Sequence, residues 1–265
     1  MIRAEDLTKR YADGTLALQG VTVVIRPGEM VGLLGPSGAG KTTFLRLLYG
    51  ALQPTAGRLE VLGNPMGQLS PAALRRLRRR VAVISQSHHV IPNLSVLHNV
   101  LIGRLGHLST GRSLLALART PPEEVQRAYR ALARVGLAEE LFTRAEALSG
   151  GQQQRVAVAR ALVQGASLIL ADEPVASVDV RTAETVLEVL RELHQQGKTV
   201  VLSLHQVDFA LAYCTRLLGL NGGRLVYDGP PKEIEGLEIY RTEEEVRDDH
   251  GRAPAFERTV FEPRV

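Results

Sequence analysis

The chain has 265 residues, 45% of them hydrophobic and 23% charged, which is ordinary for a globular protein of one large α/β domain or two small ones. Its 32 Lys and Arg against 28 Asp and Glu leave a formal charge of +4, too modest to argue for a nucleic-acid footprint. No apolar run reaches the roughly 20 residues that cross a bilayer, and MIRAEDLTKRY at the start lacks the apolar stretch of a secretory signal, so the chain is expected to stay in the cytosol.

In chain order, Leu18 to Arg26 carries Val21, Val23 and Ile25 at period two, and Pro27-Gly28 suits a tight turn before a second strand, Met30 to Leu34. That strand runs into GPSGAG and then KTTFLRLLYGAL, whose apolar residues recur at helical spacing and which Gly50 is placed to close. Arg58 to Leu62 is a further short strand. Arg75, Arg76, Arg78, Arg79 and Arg80 fall on a helix that Ser70 caps and Pro71 opens, and read as a solvated face. After the strand Val81 to Ser85, the stretch Pro92 to Leu148 turns to short helical pieces, a helical insertion.

The pattern then gives a helix from about Gln152 to Val163 ended by Gly165, a buried-type strand Leu168 to Ala171, a helix Val180 to Gln196 and a strand TVVLSL. Alternating helices and near-continuous apolar strands predict a parallel sheet covered on both faces. Cys214, the only cysteine, can form neither an intrachain disulfide nor a cysteine-cluster zinc site and reads as a small buried hydrophobe. LLGLNGGRLVYDG predicts two strands about Asn221-Gly222, and residues 246–265 read as a charged, weakly ordered tail.

Gly35 to Thr42 fits G-x-x-x-x-G-K-[ST] between a strand and a helix. Gly35, Gly38 and Gly40 permit the loop to turn its amides, with that of Ser37, around a phosphate at the helix N-terminus. Lys41 reaches the β- and γ-phosphates of such a nucleotide, the Thr42 hydroxyl binds Mg²⁺, and Thr43 is a further phosphate donor. Downstream, an apolar strand delivers Asp172 and Glu173 together. Asp172 suits Mg²⁺, which prefers oxygen ligands, and Glu173 suits orienting and deprotonating an attacking water. Ser149-Gly150-Gly151-Gln152 opens a helix, which fits either a plain N-cap or a second anion site made from a hydroxyl and helix-start amides.

Taken together, the GPSGAGKTT loop, the LSGGQ stretch and the LILADEP strand end resemble the ATP-binding subunits of ATP-binding-cassette (ABC) transporters, over roughly Ile2 to Gly229. The resemblance implies a P-loop NTPase, RecA-like α/β core with an antiparallel β subdomain (residues 1–90 and 149–245) and a helical subdomain (about 91–148). It implies ATP and Mg²⁺ as cofactors, Tyr11 stacked on adenine, Gln86 in the Mg²⁺ sphere beside a membrane partner, and His205 at the γ-phosphate. Asp179 matches a loop that couples two opposed sites, although Val178 stands where leucine is more usual.

The partners implied are a second copy packed head to tail, an integral membrane permease and, indirectly, an extracytoplasmic solute-binding protein, with the chain peripheral on the cytoplasmic face of the inner membrane. No nucleic acid is expected. Within the family the likeness is to phosphonate importer ATPases; importers of phosphate, phosphite or amino acids share every catalytic residue. A soluble ABC ATPase acting on nucleic acid or ribosomes is disfavoured by the short stretch between Lys41 and Ser149 and by the absence of a second cassette.

Overall fold

The structure, a computed structural model, describes residues 1–85, 89–106, 120–176 and 178–233. The expected tail at 246–265 lies outside the described residues. Among the described residues ten strands form two sheets. One is antiparallel and four-stranded, with order β2 (Leu16–Ile25), β1 (Ile2–Arg10), β4 (Ala56–Val61), β5 (Asn64–Pro65). The other is six-stranded: β10 (Arg224–Gly229), β9 (Arg216–Asn221), β3 (Met30–Leu34), β8 (Thr199–Ser203), β7 (Leu168–Ala171), β6 (Val81–Ile84). Its strands are parallel except β10, which returns antiparallel on β9.

Strands β3, β7 and β8 are buried along their whole length, as expected where both faces of a parallel sheet are covered. Alternate residues go to opposite faces. Met30, Leu34, Ile169, Ala171, Val200 and Leu202 join a core with the helical layer, whereas Val31, Leu33, Leu168, Leu170 and Val201 join a core under the four-stranded sheet. The helical layer comprises α3 (Val96–Leu105), α4 (Pro122–Arg134), α5 (Gly150–Gln164), α6 (Val180–Gln195) and α7 (Val207–Tyr213), and the second face carries α1 (Lys41–Leu48) and α2 (Pro71–Arg79).

Helix α1 has only eight residues, too few to be stable alone. It is held by burial of Phe44, Leu45, Leu47 and Leu48, each worth about 1.5–3 kcal/mol on full burial. Gly50 at φ 70° closes it, and the exposed Arg78 on α2 donates from Nη2 to the Gly50 carbonyl at 2.9 Å and from Nε to that of Tyr49 at 3.2 Å. One member of the arginine run therefore caps a helix C-terminus; the others, Arg75, Arg76, Arg79 and Arg80, are exposed as expected. Ser70 caps α2 through the Ala73 amide.

In the helical layer the fully buried Asn99 accepts from the Ile91 amide at 2.8 Å and donates to the Ile91 carbonyl at 3.0 Å, and Arg160 of α5 donates to the Asn99 carbonyl at 3.0 Å. This ties the chain leading into α3 to the helix that begins at Gly150. Burial pushes the Arg160 guanidinium below its ordinary pKa. Cys214 is buried as read, and burial pushes its thiol up to about 12.

Strand β1 and helix α7 are among the elements that depart from the pattern reading. Strand β1 was not foreseen, because its buried residues Ile2, Ala4 and Leu7 break alternation at a bulge where Asp6 sits at φ 48°. Helix α7 has seven residues and no side-chain cap, too little for a periodic signal. Opposite the bulge, Gly57 at φ 80° lies so close to the Asp6 carbonyl that a Cβ would collide with it. Gly57→Ala is expected to cost more than about 1 kcal/mol, read as a lower urea midpoint at unchanged m-value; an unchanged midpoint would show that the bulge adapts freely.

Candidate functional site

The loop after β3 is forced into shape by its glycines. Gly35, Gly38 and Gly40 have φ of 143°, 80° and 103°, a region L side chains avoid. A Cβ on Gly35 would collide with the Leu220 carbonyl oxygen, and one on Gly40 with that of Ala17. Gly40 is also the N-cap of α1 and brings no side chain to the first amides of the helix, so those donors face outward at the positive end of the helix dipole. Ser37, Gly38, Ala39, Gly40, Lys41, Thr42 and Thr43, with Ala17 and Glu173, line an open cavity of about 180 Å³.

Lys41 is 5% exposed, and its Nζ donates to the Gly35 carbonyl at 2.6 Å and the Pro36 carbonyl at 2.9 Å. Burial lowers its pKa, while the charges of Glu173 and Asp172 pull the other way. Thr42 donates from Oγ1 to Asp172 Oδ1 at 3.1 Å. Tyr11, between β1 and β2, shares a 3.1 Å hydrogen bond between its hydroxyl and Thr43 Oγ1, and Lys9 Nζ lies 5.7 Å from its ring centroid.

Sheet parity brings the acids to this loop. Asp172 follows Leu168 and Leu170 on the α1 side of the sheet, and Ser203 follows Val201 on the same side, with β7 and β8 registered Ala171 to Leu202. Ser203 is fully buried and donates to Asp172 Oδ1 at 2.9 Å while accepting the Glu173 amide at 2.8 Å. Glu173 takes the left-handed φ of 51°, a strain of about 1–3 kcal/mol for a non-glycine residue. Its Oε1 lies 2.6 Å from His205 Nε2, with Glu173 mostly buried and His205 exposed. A neighbouring cavity of about 250 Å³, lined by Glu173, Ser203, His205, Gln206 and Val178 among others, shares Glu173 with the loop cavity.

Ser149, Gly150, Gly151 and Gln152 stand at the exposed or half-buried start of α5 and do not line the loop cavity. Both readings of this stretch have a basis: Ser149 is an N-cap in a full capping box, with Gln152 Oε1 accepting the Ser149 amide at 2.8 Å and Ser149 Oγ accepting the Gln152 amide at 3.3 Å, while Gly150 and Gly151 occupy the first turn, where amides have no intrahelical acceptor. Two residues beyond Gln152, the buried Gln154 donates to the Pro174 carbonyl at 2.6 Å and so ties α5 to the segment after Glu173.

Asp179 caps α6, its carboxylate accepting from the Thr182 amide and hydroxyl at 2.9 and 2.7 Å, bonds that hold its pKa below the ordinary carboxylate value. The expected Gln86 lies outside the described residues. Sequence reasoning missed Ser203 and Gln154. A hydroxyl two residues before His205, in a run of Val and Leu, was the signal available for the first.

The profile of the ABC transporter family matches residues 18–176. The Phosphonates import ATP-binding protein PhnC of Stutzerimonas stutzeri is 50% identical over 236 residues, 86% of this chain and 84% of that one. PhnC 2 of Halalkalibacterium halodurans, of the same description, is 43% identical over 88% of this chain and 96% of its own. Among solved structures, an ATP-binding cassette captured as a dimer after hydrolysis, bound to ADP and Pi, matches with a TM-score of 0.79 at 31% identity, over 87% of this chain and 99% of that one. A second, cbiO1 from Clostridium perfringens, part of the cbiONQ ABC transporter complex, matches with a TM-score of 0.75 at 28% identity, over 90% and 91%. A glycine loop, an acidic strand end and a capped LSGGQ helix on this fold place the chain in the ABC transporter family, as one of its ATP-binding cassettes.

Proposed function

We propose that this chain is the ATP-hydrolysing subunit of an importer that takes up phosphonates through a separate membrane permease. The observation that carries the hydrolytic part is Glu173 at the end of β7, bounding the phosphate-loop cavity and hydrogen-bonded to His205. The solute rests on relatives described as phosphonate import proteins at 43% and 50% identity. Among the described residues no helix is long and apolar enough to cross a membrane, so the pathway falls to another subunit, with the cassette on its cytoplasmic face and a solute-binding protein acting on the far side.

The residues present fit ATP and Mg²⁺. The glycine loop is a cradle in which side chains would clash with backbone, and the buried Lys41 supplies a cation already placed at its edge. Thr42 and Asp172 offer oxygen donors only, the set hard Mg²⁺ prefers, with Gln86 proposed as a further ligand. When bound, Mg²⁺ neutralises charge on the β- and γ-phosphates. Lys41 and the loop amides would orient those phosphates, Thr43 would donate to them, and Tyr11 would bear on the adenine. Glu173 would take the proton of the attacking water, and His205 would donate toward the γ-phosphate.

Within one copy the loop cavity is lined by the phosphate loop, Ala17 and Glu173 but not by Ser149 to Gln152, which suits half of a site. A second copy placing Ser149 to Gln152 against the phosphates from the other side would complete the donor set only on closure, so that hydrolysis and reopening follow one another.

Glu173→Gln should keep ATP binding, lose roughly 10²–10⁴-fold in turnover and sediment as a dimer with ATP; hydrolysis near the wild-type rate would remove Glu173 from the role of base. Deleting the gene should abolish growth on a phosphonate but not on inorganic phosphate as sole phosphorus source, with rescue by wild type and not by Glu173→Gln. Growth unchanged on phosphonate in a host with no second importer would move the solute to phosphate, phosphite or an amino acid.

A further inference from the structure

We propose that Ser203 is a positioning residue for hydrolysis, its buried hydroxyl bridging Asp172 and Glu173 and holding the general base in its left-handed backbone. This rests on the reading of Glu173 as the base. A hydroxyl has one proton and two lone pairs. Ser203 uses the proton on Asp172 Oδ1 at 2.9 Å and a lone pair on the Glu173 amide at 2.8 Å. No solvent competes, because the side chain is fully buried.

The two bonds have separate consequences. Asp172 Oδ1 already accepts the Thr42 hydroxyl, so Ser203 and Thr42 together fix the rotation of that carboxylate. The bond to the Glu173 amide acts on the backbone. Strand geometry would continue past Ala171 with alternating side chains, and Glu173 would then point to the helical layer, opposite Asp172. At φ 51° the chain turns out of the strand, and the carboxylate reaches both the loop cavity and His205. The Ser203 hydroxyl receives the amide of that turned residue and so supports the conformation that aims it.

The test compares Ser203→Thr with Ser203→Val in the full-length protein, two side chains of nearly one shape that differ by the hydroxyl. Hydrogen exchange of the Glu173 amide in the nucleotide-free protein reads the bond directly. Ser203→Thr is expected to keep the wild-type exchange rate and kcat, whereas Ser203→Val exchanges at least about tenfold faster at Glu173 and loses about 10–100-fold in kcat at an ATP KM within threefold of wild type. Equal exchange and equal kcat in the two variants would overturn the proposal. So would a loss confined to KM, which would make the hydroxyl part of nucleotide binding.

If Ser203→Thr does not fold, Ser203→Ala, which removes only the oxygen, is compared with wild type by the same two readouts. Failure of the base reading shows elsewhere, as full turnover in Glu173→Gln, and leaves the exchange result at Glu173 standing as a test of the Ser203 bond.

Discussion

The parallel alignment of β3, β8 and β7 is the constraint on which the site depends. Pairing of Met30 with Val200 and of Ala171 with Leu202 brings the carboxyl ends of three buried strands to one edge of the sheet, the place where open α/β sheets bind ligands. From there the period of two decides direction. Asp172 and Ser203 fall on the side of α1, so Thr42 in the first turn of that helix meets Asp172 at 3.1 Å. A one-residue slip of β7 would send Asp172 to the helical layer and empty the site of its acid.

Around that edge, polar groups are buried with partners. Lys41 lies on two loop carbonyls, Gln154 on the Pro174 carbonyl and Ser203 between two neighbours, and each bond offsets the penalty of removing such a group from water. Glu173 has a left-handed backbone, a cost met at the residue proposed as the general base. Such strain persists where the surroundings over-determine it. Here they are the buried Ser203 behind the amide and His205 ahead of the carboxylate.

Much of this was legible in the residues. The glycine loop announces itself because only glycine tolerates its φ angles, and β3 and β7 were bounded correctly because continuous apolar runs between turn residues have few other readings. Helix α5 was placed two residues late, since Gly150 and Gly151 carry no helical signal and are held in the first turn by the Ser149 and Gln152 box. The bulge at Asp6 hid β1 by shifting its apolar phase. Ser203 was hidden for another reason: a serine in a strand means nothing until the register with β7 shows what lies beside it. Gln154 likewise gains meaning only from Pro174, on another element.

On the proposed function the chain carries two halves of one site that do not meet within the copy described. The phosphate loop and Glu173 line one cavity, with Asp172 bonded to Thr42 beside it, and Ser149 to Gln152 stand outside it at the head of α5. On that reading hydrolysis occurs where the first half of one copy faces the second half of another. Mixing Lys41→Ala with Ser149→Arg, each inactive alone, tests it most directly, because a head-to-tail pair of the two contains one site with both halves intact. ATP hydrolysis in the mixture is expected well above the sum of the separate variants; a mixture that stays at that sum would exclude a site completed between copies.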